Sequence, residues 1–269
     1  MIGMRMKIRH VTSYHYEEPV SYALQQLRLT PKTRPGQKVI DWQTEIKGGT
    51  LQVAFDDEHF NQVQLISFEP DVQDVTISCE GEVEVEDLNG VFGEHSGFMP
   101  LWMFERSTEL TRPGPLIRKF ARDLAGEENE LARMHVLSER LQELVIYEPG
   151  QTSVSTPAED VLAAGKGVCQ DHAHVFISTA RQMGLPARYV SGYLMMSDRV
   201  DQDATHAWAE VYIQSLGWVG FDVSNGVCPD VRYVRIATGL DYADAAPVSG
   251  MRFGEGAEQL AVQVQVQQQ

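Results

Sequence analysis

The segment GKGVCQDHAH, residues 165–174, contains one thiol, one carboxylate and two imidazoles. These groups could bind a metal ion, activate a nucleophile, or lie in an ordinary helix start with a buried thiol. A thiolate at a helix N-terminus is stabilised by unpaired N–H groups and by the positive end of the helix dipole. The same N–H groups can bind the oxyanion of a tetrahedral intermediate. Cys169 is therefore a candidate nucleophile, although many buried cysteines also begin helices.

A metal site in this segment would use Cys169, Asp171, His172 and His174. Cys169 and His172 could share one helix face, but His174 would point away from His172. A structural zinc site usually takes four ligands from two close pairs, and the sequence has no second Cys/His pair. We therefore predict no metal and no cofactor. We interpret His172 and His174 as packing or supporting residues.

A cysteine nucleophile requires a histidine from elsewhere in the chain, held by a carboxylate or an amide. The segment THAWAEVYI places His206 at the start of a predicted strand, and GWVGFDVSNG places Asp222 near the end of the next one. The two strands form a predicted hairpin that turns through QSLG, so both side chains would lie close together on one face. A histidine at a strand start can also be a polar edge residue, and an aspartate before SNG can be a turn former.

Two kinds of secondary structure must position these residues. The first hundred or so residues consist of short alternating or β-branched segments separated by turns such as KGGT and FEPD, which is typical of a β-sandwich. From about Trp102 onward, apolar residues recur at helical spacing, and one such helix starts near Cys169. Trp208 and Trp218 could line a cleft, but we interpret them as core residues. The final VQVQVQQQ is predicted to be an edge strand or a tail.

Charge and composition exclude several classes of protein. The formal net charge of −16 opposes nucleic-acid binding, because such proteins place Lys and Arg against phosphate. No apolar segment is long enough to cross a bilayer, and no apolar run follows the N-terminus as in a secretory signal. We therefore expect a cytoplasmic protein without a membrane partner. The three cysteines are too few for a disulfide framework, and we interpret Cys79 and Cys228 as structural.

Three segments of the sequence resemble the three core blocks of the transglutaminase-like superfamily. They are GKGVCQDHAHVFISTARQMGLPARYVSGYL, THAWAEVYI and GWVGFDVSNG. The segment MKIRHVTSYHYEEPVSYALQQLRLTP is similar to the start of the N-terminal domain of its bacterial members. The resemblance implies an α+β protein. A β-sandwich domain (1–105) would precede a papain-like core with helices packed on an antiparallel sheet (106–245), and residues 246–269 would form a C-terminal strand or tail.

The resemblance also implies roles for individual residues. Cys169 would be the nucleophile, His206 the general base and acid, and Asp222 the group that orients the histidine. The backbone N–H of Cys169 is the candidate oxyanion donor, with Tyr147 or Gln170 as possible side-chain donors. Asp171 and His172 occupy variable positions of the family, and we assign them no chemistry. The calcium sites of the animal enzymes lie outside the matched blocks, so no metal is carried over.

Such a triad performs acyl transfer through a thioester. We expect hydrolysis of a peptide, isopeptide or amide bond in a protein or peptide substrate, as in a cysteine protease or amidase. Transfer to a lysine amine, as in a cross-linking transglutaminase, is the first alternative. A binding or scaffold module with an idle site is the second. The sequence leaves the substrate and the oligomeric state open.

Overall fold

The structure is a computed structural model, and it describes residues 3–126, 129–253 and 256–269. The first part of the chain forms strands, as its alternating sequence predicts. Every second residue from Val75 to Val85 is buried, which is the period of a strand with one face in the core. The strands of this part are β1 (Met4–Val20), β2 (Tyr22–Thr30), β3 (Gln37–Lys47), β4 (Gly49–Asp56), β5 (Gln62–Phe68), β6 (Val72–Val85) and β7 (Val91–Gly93).

The second part mixes helices and strands, so the chain as a whole is mostly sheet with several helices. A 3-10 helix (Leu101–Glu105) leads into this part. Its elements are α1 (Pro115–Asp123), α2 (Glu130–Leu144), β8 (Ile146–Tyr147), α3 (Ala158–Ala164), β9 (Lys166–Gly167), α4 (Cys169–Gln182), β10 (Ala187–Leu194), β11 (Asp201–Gln202), β12 (His206–Ile213), β13 (Gly217–Phe221), β14 (Tyr233–Gly239), α5 (Tyr242–Ala245), β15 (Val248–Phe253) and β16 (Glu258–Gln268).

Both ends of the chain contribute to the sheets of the first part. One sheet has the strand order β11-β16-β1-β6-β3, and the other has the order β15-β2-β5-β4. The final VQVQVQQQ lies in β16, which pairs antiparallel with β1 and places Val266 opposite Ile8. Val264 and Val266 are 1% exposed, and they pack in one apolar cluster with residues of both sheets. The alternation in the tail is therefore the pattern of a strand with one buried face.

A third sheet, with the strand order β14-β10-β12-β13-β7, organises the second part. Helix α4 packs on one face of this sheet, and it is buried from Asp171 to Arg181. Small or branched residues of β12, such as Ala209 and Val211, pack against the helix. The opposite face carries the alternate residues of β12, namely His206, Trp208, Glu210 and Tyr212, because successive side chains of a strand point to opposite faces.

Short elements fix where α4 begins. Helix α3 ends at Gly165, whose φ of 67° is a left-handed conformation that favours glycine. The chain then forms β9, which pairs parallel with β8. Cys169 follows two residues after β9, so its position is set by a helix end and a strand pair. Across the described residues, no helix is both long and apolar enough to cross a membrane.

Candidate active site

Cys169 is the first residue of α4, so its N–H has no carbonyl one turn earlier to bond. The carboxylate of Asp171 holds this turn in place. Its Oδ2 accepts hydrogen bonds from the Val168 N–H at 2.8 Å and from the Thr152 hydroxyl at 2.7 Å. A Cβ on Gly167 would lie 2.6 Å from that of Asp171, so the close approach requires glycine. Asp171 therefore positions the cysteine, a role that the sequence analysis did not assign.

The predicted hairpin brings His206 and Asp222 together. Strands β12 and β13 pair with each other, and Ala209 lies opposite Phe221. The start of β12 and the end of β13 therefore lie at the same edge of the sheet. There His206 Nε2 donates a hydrogen bond to Asp222 Oδ2 at 2.6 Å. Because Nε2 is engaged, Nδ1 is the ring nitrogen available to Cys169.

The carboxylate of Asp222 is 1% exposed, and three further side chains surround it. Ser224 donates to Oδ1 at 2.7 Å, Asn225 donates its Nδ2–H to Oδ2 at 2.7 Å, and the Tyr233 hydroxyl donates to Oδ2 at 2.8 Å. None of these three residues was predicted from the sequence to belong to the site. Asn225 and Ser224 belong to a turn signal, and no pattern in the sequence connects Tyr233 to the site. Together they fix the carboxylate that orients His206.

The electrostatics of the site favour a charged histidine beside a charged aspartate. Burial lowers the pKa of His206, but the hydrogen bonds and charges of Asp222 and Cys169 raise it to about 10. Burial raises the pKa of Asp222, but the bond to His206 and its charge, with the bonds from Asn225 and Ser224, lower it to about 2. Cys169 is thus close enough to interact electrostatically with His206. At neutral pH the ring is an imidazolium held between the carboxylate and the sulfur.

The chain matches two family models. Residues 118–223 match the transglutaminase-like superfamily core, and residues 6–84 match the bacterial transglutaminase-like N-terminal region. A protein of Mycobacterium tuberculosis is 31% identical over 277 residues, covering 92% of this chain and 87% of that protein. A protein of Mycobacterium leprae is 29% identical over 276 residues, covering 97% of this chain and 98% of that protein.

The chain belongs to the transglutaminase-like superfamily. A solved structure from Cytophaga hutchinsonii, described as a "putative cysteine protease", superposes with a TM-score of 0.81. At 22% identity, the match covers 100% of this chain and 91% of the other, so the two chains share a fold. The predicted family and the transglutaminase-like fold are thereby confirmed.

In this transglutaminase-like protein, aromatic rings cover the histidine. The Trp208 ring stacks on the His206 ring with centroids 6.4 Å apart, and the Tyr233 ring lies 6.0 Å away. A Cβ on Gly192 would lie 2.5 Å from the Trp208 ring and 2.3 Å from the Val234 carbonyl oxygen, so only glycine fits there. Trp208 is 2% exposed, as expected for a core residue, but its contact with His206 also makes it a wall of the site.

The two other histidines of α4 have different surroundings. The ring nitrogens of His172 lie 2.9 and 2.8 Å from the carbonyl oxygens of Val168 and Val145, so this ring connects the start of α4 to the end of α2. His174 Nε2 accepts a hydrogen bond from the Tyr242 N–H at 3.1 Å. Burial, and then the charge of Arg181, lower the pKa of His174 to about 3. Both histidines make the structural contacts of supporting residues.

The two side chains named as oxyanion donors differ in their environment. Gln170 donates its Nε2–H to the Val154 carbonyl at 3.1 Å, so its amide is engaged by the loop before α3. Tyr147 is 53% exposed, and its ring stacks on His172 with centroids 6.2 Å apart. Burial, and then the nearby charges of Cys169 and Asp222, raise the pKa of Tyr147. The Tyr147 hydroxyl is therefore protonated at neutral pH, close to the sulfur, and able to donate a hydrogen bond.

The other thiols lie in different surroundings. Cys79 is fully buried in β6, and burial raises its pKa to about 11 despite a hydrogen bond with Thr44. Burial also raises the pKa of Cys228. Among the described residues, no group of three or more His, Cys, Asp or Glu side chains is arranged to hold a metal ion.

Proposed function

We propose that this protein is a thiol-dependent acyl-transfer enzyme that hydrolyses a peptide, isopeptide or amide bond of a protein or peptide substrate. Cys169 is the nucleophile, His206 the general base and acid, and Asp222 the orienting carboxylate. The observation that carries the proposal is the 2.6 Å hydrogen bond from His206 Nε2 to Asp222 Oδ2, which leaves Nδ1 for a cysteine at the head of α4. Nucleophile, base and orienting group in this order are the elements of a catalytic triad.

The first half of the reaction forms a thioester. The Cys169 thiolate attacks the carbonyl carbon, and the N–H of Cys169 receives the oxyanion of the tetrahedral intermediate, with the Tyr147 hydroxyl as a second donor. His206 then gives its Nδ1 proton to the leaving amine. The carbon–nitrogen bond breaks, the amine departs, and the acyl group remains on the sulfur.

The second half releases the acyl group. His206, now neutral, takes a proton from a water molecule as that water attacks the thioester carbonyl. The carbon–sulfur bond breaks, and the products are a carboxylic acid and the Cys169 thiolate beside the His206 imidazolium. Asp222 remains ionised throughout, because three donors besides His206 hold its charge.

We also propose a domain arrangement for the strands at the two ends of the chain. The sheets that contain β1 and β2 recruit β16 and β15 from the C-terminal end. We propose that they form one β-sandwich domain, and that the acyl-transfer core is inserted between its N-terminal and C-terminal strands. The free state of Cys79, Cys169 and Cys228 supports a reducing compartment, and we propose the cytoplasm.

The test is to incubate the protein with a peptide library, with and without an amine probe such as dansylcadaverine. If the protein is a hydrolase, mass spectra should show peptides with new carboxylic acids. The Cys169→Ala variant should not form these products. The control variant Cys79→Ala, which removes another thiol, should still form them. Incorporation of the amine at the expense of hydrolysis would assign the cross-linking activity instead. Equal product yields from Cys169→Ala and the unmodified protein would overturn the proposal.

A further inference from the structure

Three arginines surround a single buried glutamate on the face of the third sheet opposite α4. Glu210 of β12 is fully buried. Arg188 of β10 donates to Glu210 Oε2 through Nε at 2.7 Å, and Arg235 of β14 donates to Glu210 Oε1 through Nη2. Arg188 and Arg235 are 9% and 6% exposed, so the carboxylate is shared between two guanidinium groups that are themselves largely buried.

The third arginine has no partner of its own. Arg34 lies in the connection between β2 and β3, and its side chain makes no hydrogen bond or ion pair with any other described residue. Its Nε is buried without a hydrogen-bond acceptor, and so is the Nε of Arg235. Burial, and then the charge of Arg188, lower the pKa of Arg34 to about 10, although the charge of Glu210 raises it. The cluster therefore holds three guanidinium charges against one carboxylate.

The three arginines, Arg34, Arg188 and Arg235, line a cavity of about 580 Å³. The Arg188 guanidinium lies over the Trp218 ring at 3.9 Å and that of Arg235 over the Phe92 ring at 4.4 Å, so both cations are held in fixed orientations. Three other charged or titratable side chains line the cavity: Lys32, His59 and Glu94. Lys32 pairs with Asp56 at 2.6 Å, and Glu94 is exposed.

The local charge of this cavity is opposite in sign to that of the whole chain. The chain as a whole carries a formal net charge of −16, so a local excess of buried cations does not reflect its general composition. Repulsion among guanidinium groups in a buried site destabilises the folded state unless an anion offsets it. The unsatisfied Nε atoms of Arg34 and Arg235 are donors without acceptors, and an oxyanion would supply acceptors to both.

We infer that this cavity is a binding site for a small molecule carrying a phosphate group. Planar guanidinium forks match the oxygen geometry of phosphate, and a dianion would balance the charge that Glu210 leaves uncompensated. The apolar side chains of Phe60, Leu88 and Phe92 line the same cavity and can cover the organic part of such a molecule. The site lies outside the Cys169–His206–Asp222 group, because Trp208 lies between His206 and Glu210 on the same face of β12.

The inference is tested with inorganic phosphate as the probe. Thermal unfolding of the full chain is followed against increasing sodium phosphate, with sodium chloride at matched ionic strength as the reference. Phosphate should raise the melting temperature saturably, and chloride should not. Arg34→Gln should weaken phosphate binding by about tenfold or more, because a charge-assisted donor pair is lost. Arg199→Gln removes the same charge from an exposed arginine and should leave binding unchanged.

Two further measurements separate binding from structural support. Arg34→Lys keeps the charge but loses the fork, so its phosphate affinity should fall between those of Arg34→Gln and the unmodified protein. In phosphate-free buffer, Arg34→Gln should melt no lower than the unmodified protein, because burial and the charge of Arg188 disfavour the Arg34 cation more than the charge of Glu210 favours it. An unchanged phosphate response in Arg34→Gln, or no response in the unmodified protein, would overturn the inference.

Discussion

The charge state of His206 and Asp222 is set by their contact with each other. The folded-state pKa of His206 is about 10, above its ordinary 6.5, so its contribution to stability is complete below pH 6.5 and is lost as the pH rises through 10. The folded-state pKa of Asp222 is about 2, below its ordinary 3.8, so its contribution is complete above pH 3.8 and is lost as the pH falls through 2. Both contributions are complete only between about pH 4 and pH 6.5.

Replacing Asp222 tests this window. Asp222→Asn should lower the free energy of unfolding most at pH 5 to 6, because the variant cannot form the ion pair. The difference from the unmodified protein should shrink as the pH approaches 10. Urea unfolding at pH 5.5 and pH 9.5 measures both values, with Asp74→Asn, a change at an exposed partner of His15, as the control. A stability loss that grows between these pH values would contradict the assignment of charges.

The three thiols should react differently with iodoacetamide. At pH 5.5 the His206 imidazolium lies beside Cys169, and we expect this cysteine to be carboxamidomethylated first. Cys79, whose pKa burial raises to about 11, and Cys228, whose pKa burial also raises, should remain unmodified. Peptide mapping after timed quenching gives the rates. His206→Ala should slow the labelling of Cys169 by about tenfold or more, because the counter-charge is gone. Equal rates at all three sites would contradict this picture.

At the scale of elements, the site depends on how closely the strands of the third sheet approach. Gly192 of β10 lies against the Trp208 ring and the Val234 carbonyl. A Cβ added to Gly192 would lie 2.5 Å from the ring and 2.3 Å from the carbonyl oxygen. Gly192→Ala should cost about 1–3 kcal/mol of stability through overpacking. It should also slow Cys169 labelling, because the Trp208 ring that an added methyl group would displace stacks on the His206 ring. Gly126→Ala, with nothing within 4 Å of the added Cβ, is the control for urea unfolding and labelling. A neutral Gly192→Ala variant would contradict the packing argument.

Local sequence predicted some of these elements and not others. The β12–β13 hairpin and the start of α4 follow from alternation, helical spacing and glycine positions, which act over a few residues. The contacts of Tyr233 with Asp222 and of Arg235 with Glu210 join β14 to residues of the β12–β13 hairpin, and the order of these strands in the sheet depends on the packing of the whole core. The pairing of β16 with β1 joins the two ends of the chain, so no pattern of neighbouring residues could predict it.

At the scale of the molecule, this pairing places the C-terminal end in a shared core. Val264 is 1% exposed in β16, whereas Gln263 is exposed and faces outward. Val264→Asp would bury a carboxylate without a partner, and it should lower the free energy of unfolding by about 3–5 kcal/mol. Gln263→Asp adds the same charge to the same strand and should change stability by less than about 0.5 kcal/mol. Urea unfolding of both variants gives the comparison, and equal effects would contradict a structural role for β16.

Arg34, from the first part of the chain, lies with Arg188 and Arg235 of the third sheet around Glu210. Burial raises the pKa of Glu210, but Arg235 and Arg188 lower it, so the carboxylate is ionised at neutral pH. Glu210→Gln leaves the guanidinium charges uncompensated, and it should cost about 3–5 kcal/mol of stability in phosphate-free buffer. Phosphate should then stabilise this variant more than the unmodified protein, because the anion replaces the missing charge. Urea unfolding with and without phosphate measures both effects, with the exposed Glu45→Gln as control. A cost no larger than that of Glu45→Gln would show that the guanidinium groups do not depend on Glu210.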